Sequence, residues 1–294
     1  MRGEGILVRL TRSGAILAAI VALWYLLAYA MNAPFQRDIN ERRGVSPSAT
    51  EFVLSTLTQP KPTTPAPHQV ALNLWEGVFG APVWSKRSLV YHSWATLSST
   101  LLGFAFGTAL GVAIAVGIVH VPALARSALP WIVASQTVPM LAVAPMIVVI
   151  LAAIGLTGLV PKALISTYLS FFPVAVGMVK GLRSPETMHL DLLETYNASR
   201  WDAFWKLRVP ASVPFFFASI KVAVAASLVG AIVGELPTGA DAGIGTRLLA
   251  GSYYSQTTDL WSALIAGSLV AMILVMLVGR AGRIVERRLG GRPA

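Results

Sequence analysis

The amino-acid sequence predicts an all-α, polytopic membrane protein with about six transmembrane helices. Of its 294 residues, 55% are hydrophobic and only 12% are charged, and the mean hydropathy is +0.67. Several apolar runs reach the roughly 20 residues that a helix needs to cross the hydrocarbon. The sequence contains no Cys, which excludes a disulfide framework and a thiolate metal site. The formal charge of +10 fits the basic inner loops of membrane proteins better than it fits nucleic-acid binding.

The N-terminal part is predicted to contain one span followed by a long polar segment. Residues 1–31 comprise a short basic tail and the first apolar run, 14–31, whose length favours a retained span over a cleaved signal peptide. Residues 32–88 are polar and rich in Pro, and their backbone groups would lack hydrogen-bond partners in lipid. We therefore expect an extracytoplasmic loop over 32–88, with a short amphipathic helix near residues 70–80.

Residues 89–288 are predicted to form the core domain, and residues 289–294 a short C-terminal tail. The core domain holds five further apolar runs, each of which is long enough to be a span. These predicted spans are residues 89–118, 130–154, 159–179, 211–234 and 260–278.

Two of these predicted spans carry informative small residues and prolines. Gly103, Gly107 and Gly111 recur at every fourth position, a spacing that lets helices approach closely in lipid. Pro139 and Pro145 each remove an internal helix hydrogen bond, so the span that contains them is expected to bend.

The distribution of basic residues predicts the orientation of the spans. With six spans and a cytoplasmic N-terminus, most of the 23 Lys and Arg residues fall in cytoplasmic segments. Because Lys-rich and Arg-rich loops remain in the cytoplasm, both termini are predicted to be cytoplasmic. The Lys and Arg residues in the predicted cytoplasmic segments are Arg2, Arg9, Arg12, Arg126, Lys180, Arg183, Arg200, Lys206, Arg208, Arg280, Arg283, Arg287, Arg288 and Arg292.

A polar and aromatic segment, residues 182–210, separates the fourth and fifth predicted spans. The residues "SPE" at 184–186 are typical of a helix start, with Pro at the first position and an acid in the first turn. Asn197 is suited to the left-handed turn that ends a helix. Ser199, followed three residues later by Asp202, indicates the start of a second helix.

The second helix of this segment is predicted to carry an aromatic face. Trp201, Phe204 and Trp205 have the i, i+3, i+4 spacing of neighbours on a helix, and Pro210 is expected to mark a turn into the fifth span. Two interpretations fit such a helix-turn-helix. Its Trp rings could rest among lipid headgroups, or they could dock into a pocket of a partner protein, which favours aromatic anchors beside Arg.

The same segment resembles a motif of a known family. The stretch "LDLLETYNASRWDAFWKLRVPASVP" is similar to the EAA loop of permease subunits of bacterial ATP-binding-cassette importers, with Asp191 at the place of the motif's Glu and Asn197 at that of its Gly. The stretches "HSWATLSSTLLGFAFGTALGVAIAVGI", "QTVPMLAVAPMIVVILAAIG" and "GAIVGELPTGADAGIGTRLL" resemble spans of the nitrate, sulfonate and taurine type of these permeases. The resemblance covers residues 91–288.

This resemblance implies a type I ABC importer permease fold in the bacterial cytoplasmic (inner) membrane. It implies a transport subunit for a small solute, a sulfonate-like or nitrate-like anion or a small heterocycle. The implied partners are two ABC ATPase subunits, a second permease copy or paralogue, and an extracytoplasmic solute-binding protein. The sequence lacks G-x-x-x-x-G-K-[ST], so ATP-Mg is expected on the partner ATPase, with no cofactor bound by this chain.

Two other classes of function compete with this interpretation. A secondary active carrier or a channel subunit would work without an ATPase, although a carrier would usually show more spans or an inverted repeat. An intramembrane enzyme would need a metal cluster or a nucleophile-base pair, whereas the four His residues are scattered and none lies in an H-E-x-x-H motif. We therefore expect no catalytic residues and no metal site.

Three groups of functional residues are expected, the first of them from the resemblance, and the sequence does not identify the solute. The expected ATPase-coupling loop contains Asp191, Glu194, Asn197, Ala198, Ser199, Arg200, Trp201, Phe204, Trp205 and Arg208. The candidate translocation path contains Gln136, Thr137, Met140, Ser170, Phe171 and Phe172, for which plain helix packing is the competing interpretation. Glu235 is the candidate outer gate or salt bridge. Lys221, inside the fifth span, is expected either to be paired or to extend its ammonium group toward the membrane surface, and a structural pair is favoured over a ligand contact.

Overall fold

The computed structural model describes residues 6–237 and 242–288, and within these ranges every regular element is a helix. The predicted all-α class is therefore confirmed. In chain order the helices are α1 (Ile6–Arg43), α2 (Ala49–Leu57), α3 (Pro67–Phe79), α4 (Leu89–His120), α5 (Pro122–Ser135), α6 (Met140–Ala153), α7 (Leu159–Leu182), α8 (Thr187–Thr195), α9 (Arg200–Ala203), α10 (Val209–Glu235), α11 (Ile244–Tyr253) and α12 (Thr257–Arg288), with a π-helical turn (Phe204–Arg208) between α9 and α10.

Five helices in the described ranges are long and apolar enough to cross a membrane, and counting one bent pair as a span gives six. The five are α1, α4, α7, α12 and the helix that contains α10, each of which covers a predicted span. The bent pair is α5 and α6, whose axes meet at 97°. The third predicted span is thus broken rather than merely bent. Pro139 precedes the first residue of α6, whereas Pro145 is accommodated within that helix.

The segment after the first predicted span contains more helix than its polar composition suggests. Helix α1 continues past residue 31 and through Pro34 as far as Arg43, and α2 follows. A polar helix can be supported by pairs four residues apart, and here the Gln36 amide donates a hydrogen bond to Asn40 at 3.1 Å. The amphipathic helix that we expect near residues 70–80 is present as α3.

The start of α2 is fixed by a capping box. The Ser48 backbone N–H donates to the Glu51 carboxylate at 2.9 Å, and the Ser48 hydroxyl accepts the Glu51 backbone N–H at 3.4 Å. Hydrogen bonds from the Ser48 backbone and hydroxyl hold the pKa of the Glu51 carboxyl below its ordinary value. This local pattern starts a helix where the sequence shows no sustained apolar period.

The chain divides into two compact units, and the first comprises Met1–Val90 and Arg247–Ala266. Within this unit the buried Asn32 holds the loop before α3, because its Oδ1 accepts the N–H groups of Thr63 (2.8 Å) and Thr64 (3.2 Å). Its Nδ2 donates to the Thr64 carbonyl at 2.8 Å. The Trp24 ring also packs on Trp261, with ring centroids 5.1 Å apart.

The second unit comprises Tyr91–Thr246 and Gly267–Ala294, and within it α4 packs closely on α7. A methyl group on Gly103 would overlap Ser166, and one on Gly107 would overlap Ser170. A Cβ at Gly111 would lie 2.7 Å from the Phe171 carbonyl oxygen. These three glycines therefore allow the close helix approach that their spacing predicts.

Helix α10 contacts both α7 and α4 through a second set of small residues. The Ser166 hydroxyl donates to the Ser227 carbonyl at 2.9 Å, and the Ser227 hydroxyl donates to the Thr100 carbonyl at 2.8 Å. A Cβ at Gly230 would lie 2.7 Å from the Ser166 Cα. Short polar side chains thus join α4, α7 and α10, which is a common device where apolar burial gives little driving force in lipid.

Candidate functional site

The first part of the candidate coupling loop is a helix that ends in a left-handed residue, as its sequence predicts. Helix α8 ends at Thr195, and Asn197 has φ +57°. The Asn197 N–H bonds the Glu194 carbonyl at 2.8 Å, and the Ala198 N–H bonds the Leu193 carbonyl at 3.0 Å. These two bonds form a Schellman motif, which satisfies carbonyl groups at the end of α8 and reverses the chain.

The second helix of the loop begins at Ser199, also as predicted. The Ser199 side chain caps α9 by accepting the Asp202 N–H at 3.1 Å. Asp202 in turn forms an ion pair with Lys206, with N and O atoms 2.6 Å apart. The expected turn at Pro210 is wrong, because helical structure continues without a break from Arg200 to Glu235.

The π-helical turn explains how a helix can run through Pro210. A Pro removes one backbone donor and its ring crowds the carbonyl four residues earlier, which is Lys206. Immediately before this Pro, the Val209 N–H bonds Phe204 O, five residues back, so the backbone is widened where the ring needs space. The Arg208 guanidinium donates to the Leu182 carbonyl at 2.9 Å and ties this turn to the end of α7.

The three predicted aromatic residues form one cluster, but they divide into an anchor and an exposed surface. The ring centroids of Trp201, Phe204 and Trp205 lie 5.2 to 6.0 Å apart. Phe204 is 5% exposed and its ring also contacts His120, at 4.8 Å between centroids. Trp201 and Trp205 are 67% and 52% exposed. Phe204 thus holds the cluster in the protein interior, and the two indole rings face outward.

Further exposed apolar residues, which the sequence reasoning missed, lie in the first helix of the same loop and directly after it. Met188 and Leu192 on α8 and Tyr196 at its C-terminal end are all exposed and are spaced at four-residue intervals. This spacing was visible in the sequence and could have identified them. Asp191, Glu194 and Arg200 are also exposed, so charged groups accompany the apolar residues. We use the term elbow surface for Met188, Leu192, Tyr196, Arg200, Trp201 and Trp205.

The candidate path residues fall into two places in the second unit. Gln136 and Thr137 are exposed at the break between α5 and α6, whereas Met140 is buried beside Ile165. Ser170 is buried and donates to the Ser166 carbonyl at 2.8 Å and the Gly103 carbonyl at 3.3 Å. Its hydroxyl therefore serves the contact between α4 and α7.

Phe171 and Phe172 lie beside Ser170 and differ in burial. Phe171 is buried and Phe172 is half-buried. Tyr168, which the sequence reasoning missed, links the two places: its hydroxyl donates to the Ser135 carbonyl, and its ring contacts Phe171 at 5.9 Å between centroids.

Glu235, the candidate outer gate, is fully buried at the end of α10. Its carboxylate accepts hydrogen bonds from the Thr96 hydroxyl at 2.8 Å and from the Gly245 N–H at 2.7 Å. The Thr96 oxygen also accepts the Ile244 N–H at 2.8 Å. A carboxylate at the first turn of α11 is favourable because free N–H groups point toward it. Glu235 thus joins the end of α10 to α4 and to the start of α11.

Two further side chains hold the same short segment. The Gly243 N–H donates to His92 Nδ1 at 3.0 Å, and the Lys162 ammonium donates to the Ala242 carbonyl at 3.2 Å. Gly243 has φ +145°, and any Cβ there would overlap the Glu235 carboxylate. We use the term outer clamp for Glu235, Thr96, His92 and Lys162 with residues 242–245.

Within residues 6–237 and 242–288, no three His, Asp or Glu side chains gather as metal ligands would.

Comparison with known proteins decides the family. The family described as "Binding-protein-dependent transport system inner membrane component" matches residues 107–291, which include the elbow surface and all of the outer clamp except His92 and Thr96. The chain belongs to this family. It is a membrane-spanning permease subunit of an ABC import system, and its fold is the type I importer permease fold that the motifs imply. Such membership implies ATPase and solute-binding-protein partners.

Curated relatives place the permease among importers of chemically different solutes. It is 27% identical over 223 residues to the riboflavin transport system permease protein RibX of Chloroflexus aurantiacus. The aligned region covers 76% of this chain and 79% of that relative. It is 32% identical over 161 residues to the formylaminopyrimidine transport permease protein ThiX of Halalkalibacterium halodurans, covering 55% and 62%. It is 26% identical over 221 residues to the nitrate import permease protein NrtB of Leptolyngbya laminosa, covering 72% and 76%.

Proposed function

We propose that this permease forms the path for a small solute in an ATP-driven importer, and that the elbow surface receives the work of ATP hydrolysis. The single observation that carries the proposal is that the exposed Trp201 and Trp205 stand on a helix continuous with the α10 span. A movement of these indoles would therefore be a movement of the span itself. The chain carries no phosphate-binding loop, so ATP-Mg is bound by the partner ATPase.

The residues of the elbow surface have distinct roles in this proposal. Trp201 and Trp205 insert into a cleft of the ATPase, because large aromatic side chains give the most binding energy per residue at an interface. Arg200 supplies a polar contact at the rim, and Ala198 and Ser199 allow close backbone approach. Phe204 and Arg208 hold the surface rigidly to the body of the permease.

The proposed assembly contains two permease chains, as two copies or as paralogues, and two ABC ATPase subunits. It lies in the bacterial inner membrane, with both termini and the elbow surface in the cytoplasm and residues 32–88 outside. The concentration of Arg at the end of α12 supports this orientation, since basic segments remain cytoplasmic. An extracytoplasmic binding protein delivers the solute to the side that carries the outer clamp.

The solute is proposed to be a small anion such as nitrate or a sulfonate, or a small heterocycle. This range follows the names of the relatives, which include importers of nitrate, aliphatic sulfonates, riboflavin and a formylaminopyrimidine. Gln136 and Thr137 are the exposed polar residues of the candidate path, and they lie at the break between α5 and α6.

Uptake into proteoliposomes that contain the permease, its ATPase and its binding protein tests the proposal. We expect ATP-dependent uptake that is abolished by Trp201→Glu and by Arg200→Glu, with normal amounts of permease in the membrane. Trp84→Glu is the matched control, because Trp84 is also exposed but lies in the segment proposed to be outside. Normal uptake by the Trp201→Glu variant would refute the coupling role, and accumulation of solute by the permease alone would refute the ATP-driven function.

A further inference from the structure

Lys221 is a charged residue inside the α10 span, and its surroundings suggest a site of its own. It is exposed, and among the described residues no acid lies within ion-pair distance of it, so the expected structural pair is not formed with any of them. The usual rise per residue places it about 18 Å along the helix from Val209. A charge without a compensating partner would be costly there if hydrocarbon surrounded it. Its contacts with α12 resolve this conflict.

The register between α10 and α12 places Lys221 at the edge of the apolar part of α12. A Cβ on Gly279 would lie 3.4 Å from Lys221 Cε, so the aliphatic stem of the lysine lies over this glycine. One turn earlier on α10, the Phe217 ring packs on Gly282, where a Cβ would lie 2.9 Å from it. The apolar run of α12 ends at Gly279, and Arg280 follows directly. Lys221 is therefore level with the end of the apolar run of α12.

A second cation stands on the same side of α12. Arg283 is four residues beyond Gly279, so it lies one turn farther toward the C-terminus on nearly the same face. Arg283 is exposed, and Arg280 beside it is exposed as well. In the opposite direction along α12, Met276 and Met272 are exposed and apolar. The groove between α10 and α12 thus has cationic groups at its polar end and apolar groups above them.

We propose that this groove binds an anionic phospholipid, with its phosphate between Lys221 and Arg283 and its acyl chains along Met276 and Met272. Two cations at the headgroup level satisfy one phosphate, and the long basic side chains reach it while their stems stay on apolar surface. The proposal does not depend on coupling to an ATPase.

Lipid binding to the full-length chain in detergent, measured by native mass spectrometry, tests this site. The probes are dioleoyl phosphatidylglycerol, the zwitterionic dioleoyl phosphatidylcholine with the same acyl chains, and inorganic phosphate. The variants are Lys221→Ala, Arg283→Ala and the charge-retaining Lys221→Arg. Lys61→Ala is the matched control, because it removes one exposed positive charge outside the groove.

We expect tighter binding of phosphatidylglycerol than of phosphatidylcholine, and a loss of about fivefold in affinity for each cation changed to Ala. Lys221→Arg and Lys61→Ala are expected to bind phosphatidylglycerol as the unmodified chain does. Equal binding of the two lipids, an equal loss in Lys61→Ala, or unchanged binding in both groove variants would overturn the proposal. Displacement of phosphatidylglycerol by millimolar inorganic phosphate would also overturn the proposal, because Lys221 and Arg283 would then bind a free anion rather than a lipid.

Discussion

Thr96 and Glu235 are 139 residues apart in the sequence, yet the Thr96 hydroxyl lies 2.8 Å from a Glu235 carboxylate oxygen. Both side chains are fully buried. The same threonine oxygen accepts the Ile244 N–H, so one hydroxyl serves the end of α10 and the start of α11 together. The Thr96 side chain of the outer clamp thus connects α4 with the end of α10 and the start of α11.

Thr96→Val is expected to lower the free energy of unfolding by about 2 kcal/mol, because it removes the hydroxyl group that accepts the Ile244 N–H and donates to the Glu235 carboxylate. Thermal unfolding of the purified permease in detergent measures the change. Thr108→Val is the control on the same helix, since the buried Thr108 hydroxyl has no hydrogen-bond partner among the described residues and its removal should cost nothing. Equal melting temperatures for the two variants would contradict the importance of the clamp.

Gly107→Ala is expected to destabilise the permease by about 1–3 kcal/mol, because the added methyl group would overlap Ser170 and separate α4 from α7. Gly117→Ala on the same helix meets only a flexible Leu124 methyl group at 3.4 Å and should be tolerated. The comparison is made by melting temperature in the same detergent. If Gly107→Ala proves as stable as Gly117→Ala, the close packing of these helices is not essential.

Asn197→Val is expected to cost about 1–2 kcal/mol, because a β-branched residue is strained at φ +57°. Asn197→Gly should retain or slightly increase stability, since glycine adopts this conformation freely. Both variants are compared by unfolding and by ATP-dependent uptake. The left-handed turn would be unimportant for the elbow surface if Val and Gly gave the same uptake.

Phe204→Ala and Trp201→Ala should affect different properties of the permease, although the two rings touch. Phe204→Ala removes a buried ring and is expected to cost about 3–5 kcal/mol of stability. Trp201→Ala removes an exposed ring and should change stability by less than about 0.5 kcal/mol. Co-purification with the ATPase is expected to weaken with Trp201→Ala. A strong loss of stability in Trp201→Ala would show that its ring is structural.

Asn32→Ala should loosen the loop between α2 and α3, because the backbone groups of Thr63 and Thr64 lose their buried partner. Limited proteolysis of the purified permease is expected to cut this loop faster than in the unmodified chain. Asp38→Ala, an exposed change on the same helix, is the control. An unchanged cleavage rate in Asn32→Ala would mean that other contacts hold the loop.

Local patterns in the sequence were sufficient to predict the elements whose cause is local. Asn197 and Ser199 predict a turn and a cap because each acts within three or four residues, and the structure confirms both. The four-residue spacing of Gly103, Gly107 and Gly111 predicts a packing face for the same reason.

The features that were missed depend on partners far away in the chain or on backbone detail. Nothing near Glu235 in the sequence points to Thr96, and nothing near Lys221 points to Gly279. Pro210 predicts a turn by rule, but a π-helical turn just before it allows the helix to continue. The helical extension of α1 escaped notice because its residues are polar and show no apolar period.

The uninterrupted helical run from Arg200 to Glu235 has a mechanical consequence. Its 36 residues correspond to about 54 Å at the usual rise per residue, well beyond the thickness of the hydrocarbon layer. If a stiff rod of that length rotates by about 10° about one end, its other end moves sideways by about 9 Å, which is nearly the diameter of a helix. Small rotations on one face of the bilayer are thus magnified into displacements on the opposite face that match the size of a small molecule.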